Sequence, residues 1–190
     1  MNLQYINKKL SEAEIILTTL QFVQISPSSF EKWTLLDTIN HVNAWKRIAL
    51  EKVQLKIDGK EATYHSSRSI EVVNREIYNQ NSSNDAVMTK AFIEQNQKVA
   101  EQLFHQILGK ETSMELCPTG FKGNVSAYLL YDLILHPAKH YLSFFMKTND
   151  DKMFDWFEIQ LLDPAPIGKG TNDLKNRTEA IVAKLSSIIY

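Results

Sequence analysis

The chain has 190 residues, the usual length of one globular domain, and folding at this size buries about 70% of the unfolded surface without a staple. Its 21 basic and 22 acidic residues nearly cancel, which argues against a protein devoted to nucleic-acid backbone. Cys117 is the only cysteine, so an intramolecular disulfide and a cysteine-based zinc knuckle are excluded. One thiol favours a reducing, cytoplasmic setting. No apolar run reaches the ~20 residues of a membrane span, so we expect no membrane association.

The N-terminal third of the chain predicts two long helices. The first covers residues 3–22, where apolar residues recur at steps of three and four. Thr34 begins the second, with Asp37 three residues later as the capping-box partner. The apolar pattern continues to residue 57, and Asp58-Gly59 is a typical helix end.

The middle of the chain predicts a short helix over 70–78 and a long one over 84–108. Ser83 or Asn84 is the candidate N-cap of the long helix, and Gly109 follows its last turn. Residues 109–125 then contain Pro118 together with Gly120 and Gly123, which predicts a loop.

A fourth long helix, over 126–147, is apolar on most of its circumference and should be the most buried. A terminal helix is expected over 174–189, capped near Asn172. No strand alternation is long enough to predict a sheet. The sequence therefore predicts an all-α fold, with a four-helix bundle in residues 1–150. Residues 151–190 form a C-terminal extension, packed on the bundle or at a dimer contact.

His136 and His140 are the strongest candidates for chemistry. Residues four apart lie on one helix face, so two imidazoles at this spacing can reach one metal ion at ~2.1 Å. Both fall between an apolar and a polar arc of the helical wheel, where a cleft-lining group belongs. Pro137 leaves two alternatives open: a kink between the two histidines, or a break before His136 with a new helix starting at Pro137.

His41 lies at the edge of the apolar stripe of the second helix and is a candidate third ligand. Three protein ligands leave a coordination position for water or substrate, which is typical of catalytic sites. Asp37 and Asp132 lie one turn before His41 and His136 and can orient these rings by accepting their second N–H. The alternative for each histidine is an ordinary hydrogen-bonded or solvated side chain.

The remaining candidates carry weaker signals. His65 and His105 are expected to be solvated, and Cys117 is expected to act as a small apolar residue. Trp45, Tyr78 and Tyr141 are candidates to line a pocket, although aromatic residues at helical spacing more often belong to the core.

The segment from Trp33 to Trp45, with Asp37 and His41 inside it, resembles the second-helix signature of the DinB-like superfamily. His136 and His140 match that family's paired histidines on its last bundle helix. The resemblance extends over most of residues 1–147, where the order of the predicted helices is that of the family. It implies an up-down-down-up four-helix bundle, frequent homodimers, and a three-histidine site for zinc, nickel, manganese or iron.

A second segment is similar to the ClbS/DfsB-type branch of these bundles. Residues 70–81 contain the pattern Asn-x-x-Ile-Tyr-x-x-Asn, beginning at Asn74, and His140 is followed by Tyr141. The branch is associated with self-resistance to a cyclopropane-bearing genotoxin, without a conserved metal triad. This chain departs from it in having Pro137 between two histidines and a longer C-terminal extension.

Two functions follow from these resemblances. The first is a metal-dependent enzyme acting on a small molecule, either a hydrolase or a transferase of low-molecular-weight thiols. The second is a metal-free resistance protein that hydrolyses or sequesters a small electrophile, with Tyr78, Tyr141 or a histidine as its polar group. A structural bundle with a vestigial site is a third possibility. Fold resemblance alone does not choose among them.

Overall fold

The computed structural model describes residues 3–20, 33–60, 69–81, 83–107, 113–116, 121–162 and 173–189. These residues are predominantly helical, which confirms the all-α class. The elements in chain order are α1 (Leu3–Thr19), α2 (Leu35–Ile57), α3 (Ile70–Asn81), α4 (Ala86–Ile107), β1 (Ser113–Leu116), β2 (Phe121–Asn124), α5 (Val125–Leu130), a π-helical turn (Tyr131–Leu135), α6 (His136–Lys147), α7 (Asp151–Leu162) and α8 (Leu174–Ile189). No helix in the described ranges has both the length and the apolar character needed to cross a membrane.

The ends of α2 follow the local signals closely. The Thr34 hydroxyl accepts a hydrogen bond from the Asp37 amide, and the Asp37 carboxylate accepts one from the Thr34 amide, which completes the capping box. At the other end Gly59 has a φ of 71°, the left-handed conformation that glycine adopts at low cost. The predicted range of α2 is therefore confirmed.

Other helix ends agree with the prediction only in part. Asp85, rather than Ser83 or Asn84, caps α4 by accepting from the Met88 amide. The predicted cap of α8 near Asn172 is confirmed, because the adjacent Asp173 accepts from the amides of Lys175 and Asn176. Aspartate suits these positions because its charge also complements the helix dipole. The helix α7, over Asp151–Leu162, had no counterpart in the sequence prediction.

Four long helical segments share one apolar core: α1, α2, α4 and the run from α5 to α6. The helix α4 packs against α1 and α2, and α2 packs against α5 and α6. The two C-terminal helices join this core, since α7 packs on α1 and α6 while α8 packs on α6 and the π turn. Phe157 of α7 and Leu185 of α8 are almost completely buried there. Burying such a side chain contributes about 1.5–3 kcal/mol.

The predicted loop over 109–125 is wrong in part. Residues 113–116 and 121–124 pair as an antiparallel two-stranded hairpin, with Ser113 opposite Asn124 and Leu116 opposite Phe121. Two strands of four residues leave too short an alternation to stand out in a sequence. Asn124 ends the hairpin and caps α5, because its side chain accepts from the Ala127 amide.

The fourth long helix is interrupted at Tyr131–Leu135 by one π-helical turn. The His136 amide donates to the Tyr131 carbonyl, five residues back, and Pro137 occupies the first turn of α6. Proline lacks an amide hydrogen and clashes with the carbonyl four residues before it in a regular helix. The wider turn accommodates both problems while the backbone at Leu135 and His136 stays helical, so the structure has a π turn where a break before His136 was one alternative.

A buried carboxylate joins three helices. Glu14 of α1 is fully buried and lies 2.7 Å from the Lys46 Nζ of α2. The Tyr141 hydroxyl of α6 donates to the same carboxylate over 3.0 Å, and the Asn43 amide donates to it over 3.3 Å. Burial lowers the pKa of Lys46 although Glu14 acts in the opposite direction. Four polar groups satisfy one another here, as a buried ion pair requires.

Removing one partner of the Glu14–Lys46 pair should reduce the free energy of unfolding far more than removing both charges together. Lys46→Met leaves a buried, unpaired carboxylate, so we expect a loss of about 3–5 kcal/mol in the free energy of unfolding. Glu14→Gln combined with Lys46→Met keeps the shape without the charges and should recover most of the loss. Urea denaturation of the two variants measures the difference. A loss below about 1 kcal/mol in Lys46→Met would contradict this account of the network.

Candidate metal centre

The three predicted ligand histidines meet in the folded chain. The ring centroids lie 4.9 Å apart for His41 and His140, 4.7 Å for His136 and His140, and 5.9 Å for His41 and His136. One nitrogen from each ring can be chosen so that all three lie within 4.8 Å of one another. The α2 histidine and the two α6 histidines therefore lie close enough to bind one metal ion.

The donor set fits a divalent ion after a small closure of the rings. A tetrahedral ion at about 2.1 Å from each nitrogen holds them about 3.4 Å apart. The largest separation must therefore shrink by as much as ~1.4 Å, which modest ring rotations can provide. Two buried ring atoms, His41 Nδ1 and His136 Nδ1, have no hydrogen-bond partner among the described residues. His136 Nδ1 faces Asp132, whereas His41 Nδ1 is the kind of unpaired imidazole nitrogen that a ligand site requires, since buried polar atoms are normally satisfied.

The environment keeps the rings of His41 and His140 neutral, and the neutral imidazole is the form that binds metals. Burial, and then the nearby rings of His140 and His136, lower the pKa of His41 to about 2. Burial is also the main cause that lowers the pKa of His140 to about 3, with contributions from His136 and Lys147. At neutral pH both rings are therefore lone-pair donors.

Asp132 supports the cluster from the π turn. Its Oδ1 lies 3.3 Å from His136 Nδ1, although the geometry falls short of a hydrogen bond. The Tyr128 hydroxyl hydrogen-bonds to the same carboxylate from one turn earlier. Burial, followed by the Asp132 charge, raises the pKa of Tyr128 above its usual value. Tyr128 thus holds Asp132 beside His136, a contact that the sequence analysis missed despite the four-residue spacing.

Asp37 has a different role from the one predicted. Its carboxylate accepts hydrogen bonds from the backbone amide and the hydroxyl of Thr34, 2.9 Å and 2.8 Å away. The expectation that Asp37 orients His41 is therefore corrected, because the capping box uses this side chain. The four-residue spacing to His41 was compatible with either role, and the cap requires the side chain to turn back towards Thr34.

The histidine cluster forms part of the wall of an open cavity of about 430 Å³. Apolar surface predominates in its lining, although most of the lining residues carry a polar group. The lining residues are Trp33, Thr38, His41, Trp45, Ile70, Asn74, Tyr131, Asp132, His136, His140, Ser143, Phe144, Lys147 and Thr148. A cavity of this size suits a small molecule, since ligand pockets typically enclose about 300–1,000 Å³.

The predicted pocket aromatics have three different positions. Trp45 lines the cavity, and its indole N–H donates to Asn74 over 2.9 Å. Tyr78 is partly exposed and stacks on Trp33, with ring centroids 5.8 Å apart. Tyr141 is a correction, because it is fully buried and donates to Glu14. Consecutive helix positions are about 100° apart, so Tyr141 turns into the core when His140 faces the cavity.

Trp33, whose ring could line a pocket on sequence grounds, does so, whereas Asn74, Tyr131 and Phe144 escaped the sequence analysis. Only Phe144 carried a usable signal, since it follows His140 by four residues and lies on the same helix face. The others reach the site through tertiary packing. Of the remaining predictions, His105 is exposed as expected, while His65 and Cys117 lie outside the described residues.

The lowered pKa values predict how stability depends on pH in chelator-treated protein. Unfolded histidines take up protons near pH 6.5, whereas folded His41 and His140 stay neutral, so the unfolded state binds more protons. Stability should therefore fall between pH 6 and 4, by about 1.4 kcal/mol per pH unit for each histidine.

Urea unfolding at several pH values measures this slope. His41→Asn should make it shallower by about half, and His105→Asn, on an exposed helix face, should leave it unchanged. Equal slopes in wild type and His41→Asn would contradict the buried, neutral assignment.

Comparison with known proteins adds no identification. No family model, curated protein or solved structure matches this chain. Its function must therefore be argued from the site itself.

Proposed function

We propose that this protein binds one divalent metal ion through His41, His136 and His140 and acts as a metal-dependent enzyme on a small molecule. The observation that carries the proposal is the convergence of three buried or half-buried imidazoles from two helices, within 4.8 Å, on the wall of an open cavity. The sequence resemblance to DinB-like four-helix bundles supports it, since that family combines such a triad with variable chemistry.

Each group at the site has a definite task in this proposal. The rings of His41, His136 and His140 would hold the ion, and Asp132 would accept from His136 Nδ1 once a small rotation aligns the two. A bound ion would supply Lewis acidity, lowering the pKa of a water towards ~7 in a hydrolase or favouring the thiolate of a substrate in a transferase. The aromatic walls reduce the exposure of the cluster to water on the cavity side, which strengthens electrostatic interactions there.

Hydrolysis and low-molecular-weight-thiol transfer remain two versions of the proposal, because both come from the family resemblance. The donor set alone is compatible with zinc, nickel, manganese or iron. Nitrogen donors favour zinc and nickel over manganese by intrinsic affinity. We therefore choose zinc for the first test.

A metal-free protein of the ClbS/DfsB type is the second candidate. The observation that favours it is that the three nitrogens are spread more widely than a bound ion holds them. Its polar group would be a histidine, because Tyr141 is bonded to Glu14 inside the core and Tyr78 stacks on Trp33. Metal content separates the two candidates.

We expect protein purified without an affinity tag to contain close to one equivalent of metal, or to take up one equivalent of zinc after chelation. Replacing His140 by alanine removes one of three ligands and should abolish stoichiometric binding. His105→Ala is the matched control, since His105 is exposed on α4. Elemental analysis and zinc titration measure both. Undiminished metal content in His140→Ala would exclude the proposed triad.

The support from Asp132 gives a separate prediction. Asp132→Asn should weaken zinc binding by about 10–100-fold, the usual effect of losing a carboxylate behind a ligand histidine. Asp37→Asn is the control: it changes the capping residue of α2, so it should cost about 1 kcal/mol of stability or less and leave zinc affinity unchanged. Competition with a chromogenic chelator gives the affinities. Equal affinities in the two variants would show that Asp132 does not support the site.

A further inference from the structure

Four aromatic rings contribute to the wall of the cavity beside the histidines, those of Trp33, Trp45, Tyr131 and Phe144. The two tryptophans belong to α2 and the segment that leads into it, whereas Tyr131 belongs to the π turn and Phe144 to α6. Rings in a cavity wall favour a ligand that is itself a ring, because stacked or edge-to-face pairs gain free energy beyond the burial of their area.

The two tryptophan rings are held in place by their neighbours. The Trp33 ring lies nearly parallel to that of Tyr78, with centroids 5.8 Å apart, and its centroid lies 4.7 Å from that of the His41 ring. The Trp45 indole N–H donates to Asn74 over 2.9 Å. Side chains that are already oriented lose little conformational freedom when a ligand binds. Part of the aromatic wall is therefore prepared for a ligand that reaches the histidine cluster.

Several polar groups of the lining donate their hydrogens within the chain. The Thr38 hydroxyl donates to the Thr34 carbonyl over 3.1 Å, and the Thr148 hydroxyl donates to the Phe145 carbonyl over 3.2 Å. The Trp45 N–H is used by Asn74 in the same way. A ligand would have to break these bonds to use the donors, so it gains little from them. Most of its binding free energy must then come from the apolar and aromatic surface.

The formal charges of the lining cancel. Apart from the histidines, the described lining residues include one cation, Lys147, and one carboxylate, Asp132. Lys147 takes part in an interaction within the protein, and Asp132 accepts from Tyr128 and lies beside His136. Moving a charged group from water into a cavity that offers no unpaired opposite charge costs free energy. This lining therefore disfavours anionic and cationic ligands alike.

We propose that this cavity binds an uncharged, flat aromatic molecule. The ring of the ligand contacts the aromatic wall, and its reacting group lies at the histidine cluster. The inference rests on the proposed function, because it takes the histidines as the reacting end of the cavity. It narrows the substrate from a small molecule to one chemical class.

Three probes that share a naphthalene ring test the charge of the ligand. At pH 7, 1-naphthylacetamide is neutral, 1-naphthylacetate is an anion and 1-naphthylmethylamine is a cation. Binding is measured by calorimetry with chelator-treated protein, so that no metal attracts the carboxylate or the amine. We expect the amide to bind about fivefold more tightly than either ion. An ion that binds as tightly as the amide would overturn the inference, and so would a failure of all three probes to bind.

A second pair of probes separates aromatic contact from simple apolar burial. Phenylacetamide and cyclohexylacetamide have the same number of carbon atoms and the same amide, but only the phenyl ring is flat and aromatic. Apolar burial alone favours the saturated ring, whereas contact with aromatic walls favours the phenyl ring. We expect phenylacetamide to bind about threefold more tightly in the same calorimetric measurement. Equal binding, or tighter binding of cyclohexylacetamide, would overturn the inference.

Matched variants locate the ring contact. Phe144→Leu and Trp33→Leu keep an apolar side chain but remove an aromatic face, so each should weaken binding of 1-naphthylacetamide about threefold. Phe92→Leu is the control, because Phe92 is also partly buried but lies outside the lining of this cavity. Thermal melting verifies that each variant is folded. Unchanged affinity in both cavity variants, or an equal loss in Phe92→Leu, would overturn the assignment to the aromatic wall.

The two proposals can fail separately. A retained preference for the neutral aromatic probes in a protein that binds no metal would sink the metal-dependent function and leave this ligand class standing. Stoichiometric zinc without any such preference would do the reverse.

Discussion

Glu14 places one fully buried carboxylate where α1, α2 and α6 meet. The candidate site depends on α2 and α6, the two helices that carry its histidines. Lys46 follows His41 by five residues on α2, and Tyr141 directly follows His140 on α6. Both donate to Glu14, so each histidine-bearing helix is fixed to the same oxygen atoms. A charge-assisted hydrogen bond in a buried setting is short and directional. The network therefore restricts sliding and rotation of α2 against α6, the two motions that would separate the imidazoles.

The π turn imposes the second constraint. By inserting one residue's worth of extra backbone before α6, it changes which side chains of this segment face the cavity. Tyr131 lines the cavity, Asp132 approaches His136, and Pro137 begins a new helix without a clash. The π turn thus accommodates Pro137, which lies between the two histidines, and it also positions the Asp132 carboxylate beside His136.

The site also has an electrostatic cost. Burial disfavours the protonated forms of His41 and His140, so the cluster lowers the stability of the fold at pH values where an unfolded histidine is protonated. A ligand atom shared by the three rings would complete a cluster in which His41 Nδ1 has no hydrogen-bond partner among the described residues. This combination of an unpaired nitrogen and an adjacent open cavity distinguishes the cluster from an ordinary buried histidine, whose two nitrogens are usually both bonded within the protein.

The sequence by itself determined what local interactions control. The capping box of Thr34 and Asp37, the turn at Gly59 and the helical spacing of the apolar residues depend on groups within about four positions, so the bounds of α2 could be predicted. The same is true of the spacing of His136 and His140 on one face. Weak or competing local signals explain the failures: the short hairpin, the missed α7, and the cap at Asp85.

Only the tertiary structure decided the contacts between segments that are distant in sequence. The approach of His41 to the α6 pair, the burial of Tyr141 against Glu14 and the membership of Trp33 and Asn74 in the cavity all depend on how α2, α3 and α6 pack. Asp37 and Asp132 each precede a histidine by four residues, so this spacing alone did not distinguish them. Asp37 is used by the local capping box, whereas the π turn places Asp132 beside His136.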